Sequence, residues 1–485
     1  MAGRRPVRGF KSWVLCVALS SGCASVPEQA VSVSPLESGA FEVSVQAAQP
    51  ISGFQTGDWP AQEWWRSFHD EQLDRLMTEA LAQNPGMQVA AARVRAAEDA
   101  ADYAGAATQP TLGLNGSVSR RHFSQNELVS PSFAGTTRNQ GRAALEFDYD
   151  FDLWGRNKHV LQARLGEAQA SKAEQAESRL ILSTAVAQAY FRLYSGQERL
   201  KLAGDALTWR EVSLTLARSL SDRGLESSYM VEEARVELEQ TRQTVEGLEQ
   251  QVRLAKTALA NLMGKGPDAA AEIAAPTIHV DKAFPVPENL AIDLLGRRPD
   301  VVALRWRVEA AAQEVGAAKA RFYPNINLVA LVGLQSVLLP RWLTAESAIA
   351  SLGPAIDLPL FDGGRRVATL NTRHAEYDLA VAQYNQAVLD ATREVVDRLG
   401  DIQTIYRKRQ QQEKVLAAQR QIYQFAQSRH RHGLSDYASV LRVGQRWLDQ
   451  RNAEIELEEK HLQAALALIK ALGGGYQIPS SEAKS

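Results

Sequence analysis

Cysteine is almost missing from this chain, since Cys16 and Cys23 are the only two among 485 residues. Cys16 lies in the short apolar core (residues 13–19) of an expected export signal, behind Arg4, Arg5, Arg8 and Lys11. Removal of that signal leaves Cys23 alone, which excludes an internal disulfide. Also missing is any later uncharged apolar run of about 18 residues, so no transmembrane helix is expected. A chain of this kind can cross a bilayer only as a closed β-barrel, where every backbone polar group finds a partner. Charge of one sign is not in excess: the formal net charge is -2. That gives no basis for nucleic-acid binding, which needs clustered Lys and Arg. No G-x-S-x-G, Walker loop, H-E-x-x-H or C-x-x-C occurs, which argues against a hydrolase or transferase. His430 and His432 stand near each other without a cluster of carboxylates or cysteines, so no metal site is expected there.

What the chain does have is a repeat of itself. Pro85 and Pro299 open two similar segments, and each is followed 25 residues later by a second proline, Pro110 and Pro324. Farther on, Gly224-Leu225 and Gly433-Leu434 precede Gly264 and Gly473 by 40 residues. The offset between copies is 214 residues at the first landmark and 209 at the later ones. Landmarks kept in order point to a duplication.

Each copy holds two strand candidates, near 111–120 and 142–153 in the first and near 325–335 and 352–361 in the second. In the clearest, Leu145, Phe147, Tyr149, Phe151 and Leu153 alternate with Glu146, Asp148, Asp150 and Asp152. An apolar face opposite an acidic one is what a membrane barrel strand requires, with lipid on one side and water on the other. Four strands cannot close a barrel, and open edges are not tolerated in lipid. Three protomers supplying about twelve strands are the natural closure. The acidic residues would then face the lumen and favour cations.

The remainder reads as helix, over 157–222 and 226–263 in the first copy and 364–430 and 435–472 in the second. Some 65 helical residues reach roughly 100 Å. Val231, Leu238, Val245, Val252 and Leu259 recur every seven residues, with Ala234, Thr241, Leu248, Ala255 and Leu262 in the second seam position. Leu441, Leu448, Ile455, Leu462 and Ile469 repeat at the same step. The division expected is a signal (1–22), a tether (23–62), two repeats (63–275 and 276–473) and a tail (474–485). The fold class expected is α+β with an internal two-fold repeat. Within it the copies are unlike, so a tunnel of such helices would be only approximately sixfold.

Small residues before Cys23, with Ala24 after it, resemble a bacterial lipoprotein site, where the cysteine is acylated and anchors the chain; Ser20 departs from that pattern. Other segments resemble a known family. Trp64-Trp65 with Phe68-His69-Asp70, Arg298-Pro299-Asp300-Val301, Ala320-Arg321-Phe322-Tyr323-Pro324, and residues 358–365 (LPLFDGGR) are similar to the TolC-like outer-membrane efflux proteins. They are most similar to the lipoprotein branch serving resistance-nodulation-division pumps. Leu472-Gly473-Gly474-Gly475-Tyr476 fits that branch, with Tyr476 where Trp is usual.

The resemblance implies a homotrimer with a twelve-stranded outer-membrane barrel and a periplasmic helical tunnel. It implies a periplasmic adaptor, an inner-membrane pump that supplies the energy, and no cofactor beyond the lipid on Cys23. A duct for protein secretion remains open as an alternative, as does a non-channel coiled-coil envelope lipoprotein. Arg223, Gly224 and Leu225, with His432, Gly433 and Leu434, match the family's periplasmic tips, where adaptors engage. The family often lines its entrance with acidic residues six and nine positions after the second tip glycine. Here those positions are Ser439 and Arg442, with Asp436 nearby. Arg442 is expected either to latch the entrance through acids such as Asp436 or to turn sideways into an interhelical ion pair.

Overall fold

The computed structural model describes residues 33–36, 54–56, 58–278, 284–286 and 296–478. The expected export signal and Cys23 lie outside the described residues. Within them the two copies share one order of elements. The first runs α2 (Pro85–Ala106), β2 (Thr111–His122), β3 (Thr137–Asp150), α3 (Arg156–Asp222) and α4 (Ser228–Leu262). The second runs α5 (Pro299–Ala320), β5 (Asn325–Ser336), β6 (Ala348–Asp357), α6 (Arg365–Arg431) and α7 (Tyr437–Ala471). Helices α3 and α6 have 67 residues each, and α4 and α7 have 35 each. Pro85 and Pro299 are first residues of their helices, where the missing N–H has no partner to lose. Before α2 come β1 (Phe54–Thr56), a 3-10 turn (Trp64–Phe68) and α1 (Glu71–Gln83), and β4 (Phe284–Val286) lies between the copies. No described helix is long and apolar enough to cross a membrane.

The chain divides into two compact units. One consists chiefly of Arg95–Ala170 and Arg305–Gln383 and holds the sheet β2-β3-β5-β6. Its pairings are all antiparallel, and the register of each runs without a bulge. The second strand of each copy begins and ends several residues earlier than the alternation predicts. Apolar alternation continues through Phe151 and Leu153, and through Leu358 and Leu360, after the ladder has stopped. Asp152 adopts φ 46 and turns the chain, and Pro359 offers no donor to extend β6.

The other unit (Leu36–Val94, Ser171–Leu304 and Tyr384–Ser485) holds the main core. Trp64, Trp65 and Phe68 pack there with Leu73, Met77, Tyr190, Phe191, Leu259 and Leu462. Phe68 and Phe191 meet edge to face at 4.9 Å. Asp70 caps α1 through Gln72 N and Leu73 N, and also accepts from Tyr190 Oη at 2.8 Å and Thr277 N at 3.0 Å. The Trp64-to-Asp70 motif is thus a plug fastened by one buried carboxylate.

The heptads are visible in burial. Along α4 each of the ten expected seam positions is buried or half-buried, while most of their neighbours are exposed. Leu214, Ala234 and Leu238 form one segment of that seam. Arg298, at the head of α5, donates to Asp300, to Glu394 and to the Ala471 carbonyl, which ties α5 to α6 and to the end of α7. Part of the segment read as a tether (23–62) is packed against the body. β1 pairs in parallel with β4, and Trp59 packs beside the cluster of Val395, Leu399 and Ile402. The Arg297 guanidinium lies 4.9 Å over the Trp59 ring. A three-residue pairing and one tryptophan carry no periodicity that a sequence reading could detect.

Candidate functional site

Alternation along the strands becomes two sheet faces once the register is known. Leu112 pairs with Phe147, Leu114 with Leu145, Leu145 with Val332, Tyr149 with Leu328, and Ile326 with Ile356. Cross-strand partners share a face, so these residues form one apolar surface. Much of it is bare in the single chain: Leu112 is 70%, Leu114 76% and Leu352 75% exposed. An apolar sheet face of this extent is stable only against lipid or another apolar body. On the opposite face Asn115, Ser117, Arg142, Glu146, Asp148, Asn327 and Ser351 mix with Val329 and Leu331.

Of the four acidic residues expected on that face, Glu146, Asp148 and Asp150 belong to β3. Asp152 does not. Its carboxylate accepts from Asn157 N at 2.9 Å and Lys158 N at 2.8 Å, which satisfies donors at the start of α3. Glu146 accepts from Arg142 Nη2 at 2.8 Å, and Asp150 from Arg156 Nη2 at 2.8 Å. The face is therefore less acidic than alternation suggests, because Arg142 lies on it too.

The second copy repeats the strand-to-helix device. Asp362 accepts from Gly364 N, Arg366 N and Arg366 Nε, the last at 2.8 Å. The LFDGGR segment is a turn that hands β6 to α6. At the first junction Trp154 stacks on Tyr323 with centroids 4.6 Å apart and donates to the Pro324 carbonyl.

After the C-terminal ends of α3 and α6 two turns repeat each other. Gly224 has φ 70 and Gly433 φ 68, the left-handed region that side chains disfavour. Leu225 N donates to the Leu220 carbonyl at 2.9 Å, and Leu434 N to the Arg429 carbonyl at 2.8 Å. Both leucines are 68% exposed. Two matching turns each display Arg or His, then Gly, then a bare leucine.

His430 and His432 are occupied within their own turn. His432 Nδ1 lies 2.7 Å from the Ser428 carbonyl and His430 Nδ1 3.1 Å from that of Ser435. Asp436 is the N-cap of α7 and accepts from Ser439 N at 2.8 Å. Hydrogen bonds from Ser439 hold its carboxyl below the usual carboxylate range, with lesser help from Arg442 and His430. Asp436 and Arg442 form no ion pair, since the cap engages the carboxylate. Arg442 instead lines a groove with Trp209, Glu226, Glu233, Glu237 and Arg446.

Sequence reasoning missed the packing above this turn. A Cβ at Gly444 would stand 1.9 Å from Trp209 Cζ3, so the glycine is the socket for that ring. Tyr423 contacts Trp209 at 5.6 Å and stacks on Trp447 at 6.2 Å. The available signal was a glycine inside an otherwise good helix.

The comparisons agree with this geometry. Residues 76–265 and 290–474 match the family described as outer membrane efflux protein. The fusaric acid resistance protein FusA of Burkholderia cepacia is 35% identical over 368 residues, covering 75% of this chain and 68% of FusA. The multidrug resistance outer membrane protein MdtP of Escherichia coli K12 is 28% identical over 470 residues, covering 95% and 94%. The solved structure of the outer membrane protein VceC from Vibrio cholerae superposes with a TM-score of 0.80 at 35% identity. It covers 86% of this chain and all of VceC. The apolar sheet face, the duplicated order of elements and these matches lead to one assignment: the chain belongs to the outer membrane efflux protein family and has the fold of its TolC-like outer-membrane channels.

Proposed function

We propose that the chain is the outer-membrane exit duct of a tripartite efflux system and carries small toxic compounds outward as a homotrimer. The observation that supports this most is the sheet. Four strands end in two open edges, β2 and β6, and one face is apolar and bare. Closure of such a sheet in lipid needs further strands, and three copies provide about twelve. The face with Glu146 and Asp148 then lines the lumen. The names of MdtP and FusA, which speak of drug and fusaric acid resistance, support small molecules rather than proteins as cargo.

The two tips, at Arg223, Gly224, Leu225 and at His432, Gly433, Leu434, are the surfaces offered to a periplasmic adaptor. Their bare leucines supply apolar contact and their glycines the turn. Through the adaptor a resistance-nodulation-division pump would supply both energy and substrate choice. The thiol of Cys23 is proposed to carry the lipid anchor. At the entrance Asp436 and Ser439 act as a helix cap, and Arg442 acts against the acids of α4. Deletion of the gene, tested against antibiotics, metals and dyes with adaptor co-purification alongside, examines this reading. Unchanged susceptibility to every compound, together with no adaptor recovered, would refute it.

A further inference from the structure

On the lumen face the charges are sorted along the strand. Reading β3 from the hairpin loop toward α3, that face carries Arg138, Gln140, Arg142, Ala144, Glu146, Asp148 and Asp150. β2 adds Arg121, directly opposite Arg138. β6 adds Asp357, opposite Asn325 at the other end. Every cation of the face therefore lies toward the hairpin loops, and every anion toward the strand–helix junctions.

Local pairing cancels part of this but leaves the order intact. Arg121 is paired with Glu127 of the loop, Arg142 with Glu146, and Asp150 with Arg156. Among the described residues Arg138 is left without an ion pair at one end, as is Asp148 at the other; Asp357 has none either, but it lines one cavity with Arg321 and Arg365, which offset its charge. The Arg138 guanidinium lies 6.0 Å over the Phe133 ring, and its Nε is buried with no hydrogen-bond partner. The β5–β6 loop adds Arg341 and Glu346, whose charges offset each other. At ~3.3 Å per residue, the ten residues from Arg138 to Asp148 span roughly 33 Å. That is about three Debye lengths at 0.1 M salt, so the two ends act as separate belts.

We infer that the barrel lumen is electrostatically bipolar. An acidic belt centred on Asp148 at the periplasmic end admits cations, and an arginine belt centred on Arg138 at the outer end sets passage of anionic solutes. This rests on the duct reading. Two fixed belts of opposite sign, separated by more than the screening length, gather mobile ions under one voltage polarity and deplete them under the other. The open channel then rectifies, and each belt tunes selectivity in its own direction.

The test is the purified protein in planar lipid bilayers with KCl. At 0.1 M, currents at opposite voltages should differ by about twofold, and the difference should vanish near 1 M, where the Debye length is about 3 Å. Arg138→Gln should shift the zero-current potential in a KCl gradient toward potassium, and Asp148→Asn should shift it toward chloride. Each should weaken rectification. Because Asp148 is exposed on its strand, its variant reports even where Arg138→Gln disturbs the loop. Linear currents at both salt concentrations, or shifts of the two variants in the same direction, overturn the bipolar lumen alone. A chain that conducts no ions overturns the duct reading and the belts with it.

Discussion

Replacing Arg298 by alanine should cost about 3 kcal/mol, the lower end of what breaking a buried ion pair costs. The side chain is only 12% exposed and holds Asp300 through Nε at 3.1 Å and Nη2 at 2.8 Å, with Nη1 on Glu394 at 2.8 Å. Burial alone would pull the guanidinium pKa down, but the bonds and charges of Asp300 and Glu394 outweigh it, and the net shift is upward. The two carboxylates are 32% and 29% exposed, so water relieves part of their loss. Urea unfolding followed by tryptophan fluorescence measures the loss. A loss below about 0.5 kcal/mol, typical of surface changes, would refute the clamp.

Other consequences follow from single contacts. Gly444→Ala places a methyl group against Trp209; the strain of overpacking, about 1–3 kcal/mol, should appear as faster amide exchange in α7 near the tip. Gly433→Ala forces a side chain into positive φ at a cost of about 1 kcal/mol, and should weaken adaptor recovery more than detergent-phase trimer stability. Asp436→Ala should lose a cap worth about 1 kcal/mol, whereas Asp436→Asn should retain most of it. Because the folded carboxyl titrates below its usual range, the wild-type cap is fully present above the unfolded value and lost as pH falls through the folded one. His461 is buried with Arg409 Nη1 2.8 Å from its Nδ1, and burial, with Arg409, lowers its pKa from 6.5 to about 4. Over that window the unfolded chain binds the additional proton, so stability should fall as pH drops, and His461→Gln should flatten the slope.

Much of the fold was legible because it is periodic. Seven-residue spacing in α4 and two-residue spacing in β3 each report one environment repeated many times. The strand ends were less legible, since the alternation through Phe151 and Leu153 carries on past the turn at Asp152. Nothing in composition distinguishes Asp152, a helix-start carboxylate, from Asp148, which stays on the strand. Arg142 shares the acidic face but precedes the clear apolar alternation that begins at Leu145, so the pattern does not announce it. At the tip, the two glycine turns were evident from Gly224 and Gly433. The pairing of Trp209 with Gly444 joins positions far apart in sequence, which no local pattern encodes. Arg298 and Asp70 were visible only as motif letters; their hydrogen bonds show what the letters do.

The central claim is that the sheet is a barrel wall with lipid on one face and water on the other. Single cysteines along β2, at Leu112, Leu114 and Val118 and then at Gly113, Asn115 and Ser117, test it directly in outer membranes. A membrane-impermeant thiol reagent should label the second set and spare the first, and a lipid-phase quencher should reverse the pattern. Equal labelling of both sets would contradict the wall assignment, and with it the duct.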